Sequence, residues 1–201
     1  MLIADPQSAC TEPGSYRDWH LPLAHDQLTL AQARADLARV SASAQDIPLM
    51  VQLVENPKYR IPGIELFHGR VELRQHDAIH ILLGRGLLNK DEGFTIGFTM
   101  GSTRQVTSIE EELFVSIAAH LYPPPYRFGH EDIAVFRNGL RMAHIMMCKR
   151  LDNIDFTEYE QQPLAVIRSQ IGIDRNLLRA YYALEKERYP RCASSRRLLD
   201  K

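Results

Sequence analysis

Gly93-Phe94-Thr95-Ile96-Gly97-Phe98-Thr99-Met100-Gly101 is the stretch on which the fold turns. Read as a helix, its three glycines recur every fourth residue and form one smooth face along which a second backbone or a slender ligand can approach closely. Read as a strand, Thr95, Ile96, Phe98 and Thr99 supply the β-branched and aromatic residues of a sheet. The remaining chain carries helical periods and no alternation of strand with helix. The sum is therefore a mainly α, single-domain helical bundle of about seven or eight helices.

Downstream, Ser108 with Glu111 three residues on has the form of a capping box, starting a helix that runs through His120 and is stopped by Pro123-Pro124-Pro125. Asp132 to Arg150 is the most strongly amphipathic segment, with Ile133, Phe136, Leu140, Ala143 and Met147 predicted to face inward. Pro163 suits the first turn of a helix burying Leu164, Val166, Ile167 and Ile171, which Gly172 terminates. Asp174 caps a final helix to about Tyr189, before Pro190. Upstream, Asp26 is a candidate N-cap for a helix with Leu30, Ala33, Leu37 and Val40 inside. A short helix with Pro48 in its first turn stops at Asn56, and Ile61-Pro62-Gly63-Ile64 makes a turn. Residues 1–26 read as an irregular arm on the surface, 27–190 as the helical metal-binding domain and 191–201 as a basic tail.

Composition narrows the functional classes. The 201 residues are 45% hydrophobic and 24% charged, enough for one substantial core. A formal net charge of -1 gives no general attraction to nucleic acid, so none is expected as partner. Cys10, Cys148 and Cys192 are odd in number and lack ligand spacing, which argues against a disulfide framework and for a reducing cytoplasm. The N-terminus has neither a secretory nor an organellar pattern. No apolar run is long enough to cross a membrane, so any membrane contact is expected to be peripheral, which for a cytoplasmic protein means the inner face of the cell membrane.

Chemistry concentrates just before the glycine stretch, in Gln75-His76-Asp77-Ala78-Ile79-His80-Ile81-Leu82-Leu83-Gly84-Arg85-Gly86-Leu87-Leu88-Asn89-Lys90-Asp91-Glu92. If residues from about Val71 to Leu83 are helical, His76 and His80 share a face one turn apart, with Asp77 beside them. Gly84-Arg85-Gly86 can then turn the chain so that Glu92 joins His76, Asp77 and His80 around one divalent cation. Such a set keeps positions open for water, a phenolate or a carboxylate, unlike a closed cysteine site. Two imidazoles with a carboxylate also serve non-haem iron, so residue type leaves the metal open. The plainer reading of the same residues is a core helix with two satisfied histidines and surface acids.

The run His-Asp-x-x-His, eleven residues, Glu resembles the signature of the Coq-four family of ubiquinone biosynthesis proteins, and the bacterial-type members are the expected relatives. A second segment, Pro163-Leu164-Ala165-Val166-Ile167-Arg168-Ser169-Gln170-Ile171-Gly172-Ile173, is similar to that family's Pro-Leu, Arg, Leu-Gly-Ile pattern. Residues 1–26 and Arg60 to Arg74 do not share the likeness. The resemblance implies a mainly helical protein in which His76, Asp77, His80 and Glu92 bind a metal, usually zinc. It also implies peripheral membrane association, polyprenylated aromatic quinone precursors or another isoprenoid lipid as ligand, and other quinone-biosynthesis proteins or a second copy of the chain as partners. The implied activity is that of a metal-dependent lyase: oxidative decarboxylation with hydroxylation at ring carbon one.

Arg74 and Arg85 flank the motif and are candidates to pair with a substrate carboxylate or phenolate. His68, His120, His130 and His144 lack a partner at ligand spacing, and for His120 and His144 a core or supporting position is expected. Lys186, Arg188, Arg191, Arg196, Arg197 and Lys201 could meet anionic lipid headgroups, with Leu198 and Leu199 as a shallow anchor, or form an ordinary solvated tail. Two other functions compete with the enzyme: a non-catalytic isoprenoid-lipid-binding scaffold in which the metal is structural, and a phosphohydrolase of the His-Asp type suggested by His76-Asp77.

Overall fold

The glycine stretch is helical. A computed structural model of the protein describes residues 19–40, 67–124 and 126–199. Among these, eight α-helices follow in order: α1 Leu30–Ala38, α2 Leu73–Leu83, α3 Asn89–Ser102, α4 Ser108–His120, α5 His130–Met146, α6 Leu164–Ile171, α7 Arg175–Arg188 and α8 Ala193–Arg197. Short 3-10 turns at Leu151–Asn153 and Phe156–Tyr159 link α5 to α6. Among the described residues the extended pairing is one isolated bridge between Thr29 and Pro163, so the protein is mainly α as expected. The short helix expected at Pro48 to Asn56 and the turn at Ile61 to Ile64 lie outside the described residues.

Helix α3 is the axis of the bundle, with every residue from Gly93 to Ser102 buried. A Cβ on Gly97 would overlap the Phe136 carbonyl, and one on Gly101 the Leu140 carbonyl. Reciprocally, a Cβ on Gly139 would overlap the Phe94 carbonyl. The partners advance by four residues in the same direction on both helices, so α3 and α5 run parallel with their backbones touching. Small residues in a helix seam remove the side chains that keep helix axes apart.

Two apolar clusters sit on either side of this pair. One joins α1, α2, α6 and α7 through Leu30, Leu37, Ile79, Leu83, Phe94, Ile167 and Leu178. The other gathers Phe67, Phe114, Phe128 and Phe136 around α4, with the Phe114 and Phe136 rings stacked at 4.7 Å.

Several boundaries differ from the sequence reading, each for a local reason. Helix α1 is capped by Thr29 with Gln32, in a capping box, instead of by Asp26. Asp26 instead accepts a hydrogen bond from Arg168 at 2.8 Å. Thr107, one residue before Ser108, caps α4 by accepting the Glu110 N–H. Helix α5 ends at Met146 because Met147 takes a left-handed backbone, φ +54°, which leaves Met147 62% exposed where it was expected inside. Asp174 caps α7, and Gly172 ends α6 with φ +81°, both as read.

The two ends of the chain correct the sequence reading. Where the arm before Asp26 is described it is irregular but not superficial: Trp19, Leu21 and Leu23 are buried, and the Trp19 indole N–H donates to Asp36 at 3.0 Å. The segment after Pro190 is not a solvated tail either. It forms α8, burying Ser194, Ser195 and Leu198, so Leu198 cannot act as a lipid anchor.

Candidate metal centre

The centre is assembled where α2 ends and α3 begins. A helix C-terminus leaves its last carbonyls without partners, and α2 ends inside the protein, so they must be met by other groups. Arg168 from α6 does most of this, donating from Nε to the Leu82 carbonyl at 2.8 Å and from Nη2 to that of Ile81 at 3.3 Å. The Tyr182 hydroxyl donates to the Leu83 carbonyl at 2.7 Å, and His20 Nε2 lies 3.3 Å from the Gly84 carbonyl oxygen. Gly84 turns the chain with φ +66°, where an added Cβ would lie 2.9 Å from the Leu23 backbone. Burial lowers the Arg168 guanidinium to about 10, which still leaves it charged at neutral pH. Removing it would leave the buried Leu82 and Ile81 carbonyls unmet and Asp26 with Arg175 as its remaining cation. Arg168→Leu should therefore cost about 3–5 kcal/mol in urea unfolding, whereas Arg39→Leu on the exposed end of α1 should cost well under about 1 kcal/mol.

With α2 fixed, His76 and His80 project one turn apart, and Glu92 in the first turn of α3 reaches back to both. His80 Nε2 lies 3.1 Å from His76 Nε2 and 3.1 Å from Glu92 Oε2, and the third edge, His76 Nε2 to Glu92 Oε2, is 3.4 Å. A cation bound at about 2.0–2.1 Å with tetrahedral angles separates its ligand atoms by about 3.3 Å. The three atoms thus already form one face of a coordination tetrahedron, and they are a group of this kind among the described residues. His80 is the buried corner at 1% exposure and Glu92 the most open one at 27%. The other ring nitrogen of His80, Nδ1, lies 3.3 Å from the Thr95 hydroxyl, which orients the imidazole with Nε2 toward the other two groups.

Electrostatics favour the metal-ready forms in part. Burial pushes His76 down to about 4 despite the opposing Glu92, so it is neutral at pH 7. Burial also acts against the His80 imidazolium, but Glu92, with Asp77 and Asp91 behind it, outweighs burial and raises the His80 pKa above its ordinary 6.5. A metal must displace that proton. Zinc affinity should consequently fall as the pH drops through the raised His80 pKa, the slope approaching roughly tenfold per pH unit once the imidazole is mostly protonated, as measured by chelator competition over a pH series.

The remaining sequence candidates separate. Asp77 does not join the triangle. On the helix it lies about 100° round from His76 and three residues before His80, near enough for its charge to act on that imidazole, and the residue lines a hollow of about 320 Å³ with Arg34 and Arg74. Burial raises the Asp77 carboxyl to about 6. Arg85 cannot meet a substrate: it is fully buried, and both Nη atoms donate to Glu185, at 2.9 and 2.6 Å. Arg74 is exposed on the hollow that Asp77 lines, 3.9 Å from Glu160. His120 and His144, expected inside, are exposed, as is His130. His68 bonds Glu110 through Nδ1 at 2.9 Å and, with His76, lines a crevice of about 30 Å³ among Phe67, Ile96, Met100 and Phe114.

Fold and site together define the class: an all-α protein whose first two central helices bring two histidines and one glutamate into metal-ligand geometry. Comparison with protein-family models, with curated proteins and with solved structures returned no match. No helix among the described residues is long and apolar enough to cross a membrane.

Proposed function

We propose that this protein is a metal-dependent component of ubiquinone biosynthesis acting on polyprenylated aromatic quinone precursors, in the oxidative decarboxylation and hydroxylation of ring carbon one. The observation that supports the reading best is the triangle of His76, His80 and Glu92 at 3.1–3.4 Å, formed by the same residues that carry the sequence resemblance. A divalent cation there, zinc on the resemblance or iron on the donor set, would supply Lewis-acid polarisation of a ring carboxylate or phenolate oxygen. His76, His80 and Glu92 would hold it, Thr95 would keep His80 in the right tautomer, and the exposed Arg74, beside Asp77, would attract an anionic head group. The isoprenoid tail, a peripheral position on the inner face of the cell membrane, and assembly with other quinone-biosynthesis proteins or a second copy belong to the same proposal.

A scaffolding role is the second reading, and the crevice beside His76 favours it: about 30 Å³ holds a solvent molecule or two, not an aromatic ring. In that case Glu92→Gln lowers stability but leaves quinone output intact. The phosphohydrolase reading needs further histidine and aspartate ligands from separate helices, and Asp77 is not among the three groups that converge.

The test is deletion of the gene followed by mass-spectrometric profiling of quinone intermediates, with rescue by wild type and by His80→Ala at matched protein level. A lower quinone level with an accumulated prenylated precursor, restored by wild type and not by His80→Ala, is expected. Unchanged quinone in the deletion strain sinks the pathway assignment, and full rescue by His80→Ala sinks the metal's part in it.

A further inference from the structure

We propose that the C-terminal helix α8 sets the metal affinity of the centre, with Arg197 as a positioning residue that holds Glu92 in place through Asp91. The proposal rests on the metal reading of the His76, His80 and Glu92 triangle. Its residues, however, lie behind that triangle and belong to a different part of the chain.

Glu92 can meet two histidines of α2 only if the first turn of α3 is fixed against the end of α2. The neighbouring Asp91 is the residue that fixes it. Asp91 is fully buried, and its Oδ2 accepts the Leu88 backbone N–H at 3.2 Å, which ties down the residue where α3 begins. The same Oδ2 accepts from Arg197 Nη2, which arrives from α8, while Arg85 Nη1 stands 3.7 Å from Oδ1. A buried carboxylate is tolerable only with such partners.

The chain makes room for this contact. Gly86 has no left-handed backbone to explain it, but a Cβ there would overlap the Arg197 guanidinium and lie 2.6 Å from the Trp19 carbonyl oxygen. The absent side chain is the slot through which Arg197 reaches Asp91. Helix α8 contributes a second group to the same buried cluster: the Ser195 hydroxyl donates to Glu185 Oε1 at 3.1 Å, on the carboxylate that holds Arg85. Two acids and two guanidinium groups, Asp91, Glu185, Arg85 and Arg197, therefore cancel in charge beneath the metal ligands, and α8 docks by joining them.

Without Arg197, Asp91 keeps the Leu88 N–H, but the remaining ion-pair partner of its buried charge is Arg85, at 3.7 Å and already committed to Glu185. The first turn of α3 then loses its fixed register, and Glu92 moves out of reach of one histidine or both.

The experiment is a double-mutant cycle read with cobalt, whose visible spectrum reports the donor set, and with zinc by chelator competition. Arg197→Met should weaken both metals roughly 10–100-fold, the usual effect of losing a group that orients a ligand, and Arg197→Lys should recover part of that loss. In a Glu92→Gln background the same replacement should change affinity less than about twofold, although it lowers the melting temperature of the metal-free protein equally in both backgrounds. Equal loss of affinity in both backgrounds, or none in either, overturns the proposal. If Arg197→Met does not fold, Arg197→Lys is compared across the two backgrounds in the same way. Wild type that binds neither cobalt nor zinc overturns the metal reading itself, and the proposal with it.

Discussion

Arg85→Leu should destabilise the protein by about 3–5 kcal/mol, the usual cost of leaving a buried charge without its partner. For a chain of this size that is a fall of roughly 6–20 °C in melting temperature. Arg85 is fully buried, forks onto both oxygens of Glu185, and is sandwiched by Phe94 and Tyr182 with ring centroids at 4.1 and 4.3 Å. Burial opposes its charge, but the Glu185 carboxylate more than compensates and holds its pKa well above the ordinary value. Glu185 is pulled the other way: burial disfavours its anion, Arg85 overcomes this, and its pKa is lowered. The leucine removes the cation and strands the anion. The double replacement Arg85→Leu with Glu185→Leu should recover most of the loss, because two apolar residues of similar volume suit this site about as well as a desolvated ion pair does. Urea unfolding of the two single variants and the double variant checks it. A double variant as unstable as Arg85→Leu would mean that the guanidinium matters for its stacking on the rings and not for its carboxylate.

That pair also shows where sequence reasoning reaches its limit. Arg85 and Glu185 are 100 residues apart, and Arg197 and Asp91 are 106 apart. Nothing local marks them: next to a metal motif an arginine looks like a substrate anchor, and in a basic C-terminus it looks like a lipid contact. The short-range features were legible because the chain itself fixes them. A helical step of four aligned His76 with His80, the Gly84-Arg85-Gly86 turn brought Glu92 back, and Asp174 and Gly172 acted as cap and stop as expected. Asp77 is a case that spacing alone leaves open, since on the helix it lies about 100° round from His76 but only three residues from His80; the three groups that converge are His76, His80 and Glu92. Trp19, Leu21 and Leu23 were obscured by the prolines around them, although their alternation inside a polar stretch was a burial signal. Arg168 lay within the second matched segment, but its role as the cap of α2 becomes visible only when α6 is placed beside the end of α2.

Gly97→Ala should cost about 2–3 kcal/mol, even though alanine is favoured over glycine within a helix by about 1 kcal/mol. The sign depends on what the new methyl group meets. At Gly97 it meets the Phe136 carbonyl, part of the α5 backbone, and the Phe136 ring behind it at 3.1 Å. Neither can swing aside, because Phe136 is fully buried and stacked on Phe114. Helices α3 and α5 must then separate along the parallel seam, loosening Gly101 against Leu140 and Gly139 against Phe94 as well. Gly129→Ala is the control: its Cβ would come no closer than 3.5 Å to the Asp132 carboxylate, so the change should cost less than about 1 kcal/mol. The two substitutions also differ at the metal centre. Thr95, which orients His80, and Glu92 both ride on α3, so a shift of that helix should lower zinc affinity in Gly97→Ala and leave it unchanged in Gly129→Ala. If Gly97→Ala instead matched Gly129→Ala in both stability and affinity, the seam would have slack, and the glycines would not be what brings the two backbones together.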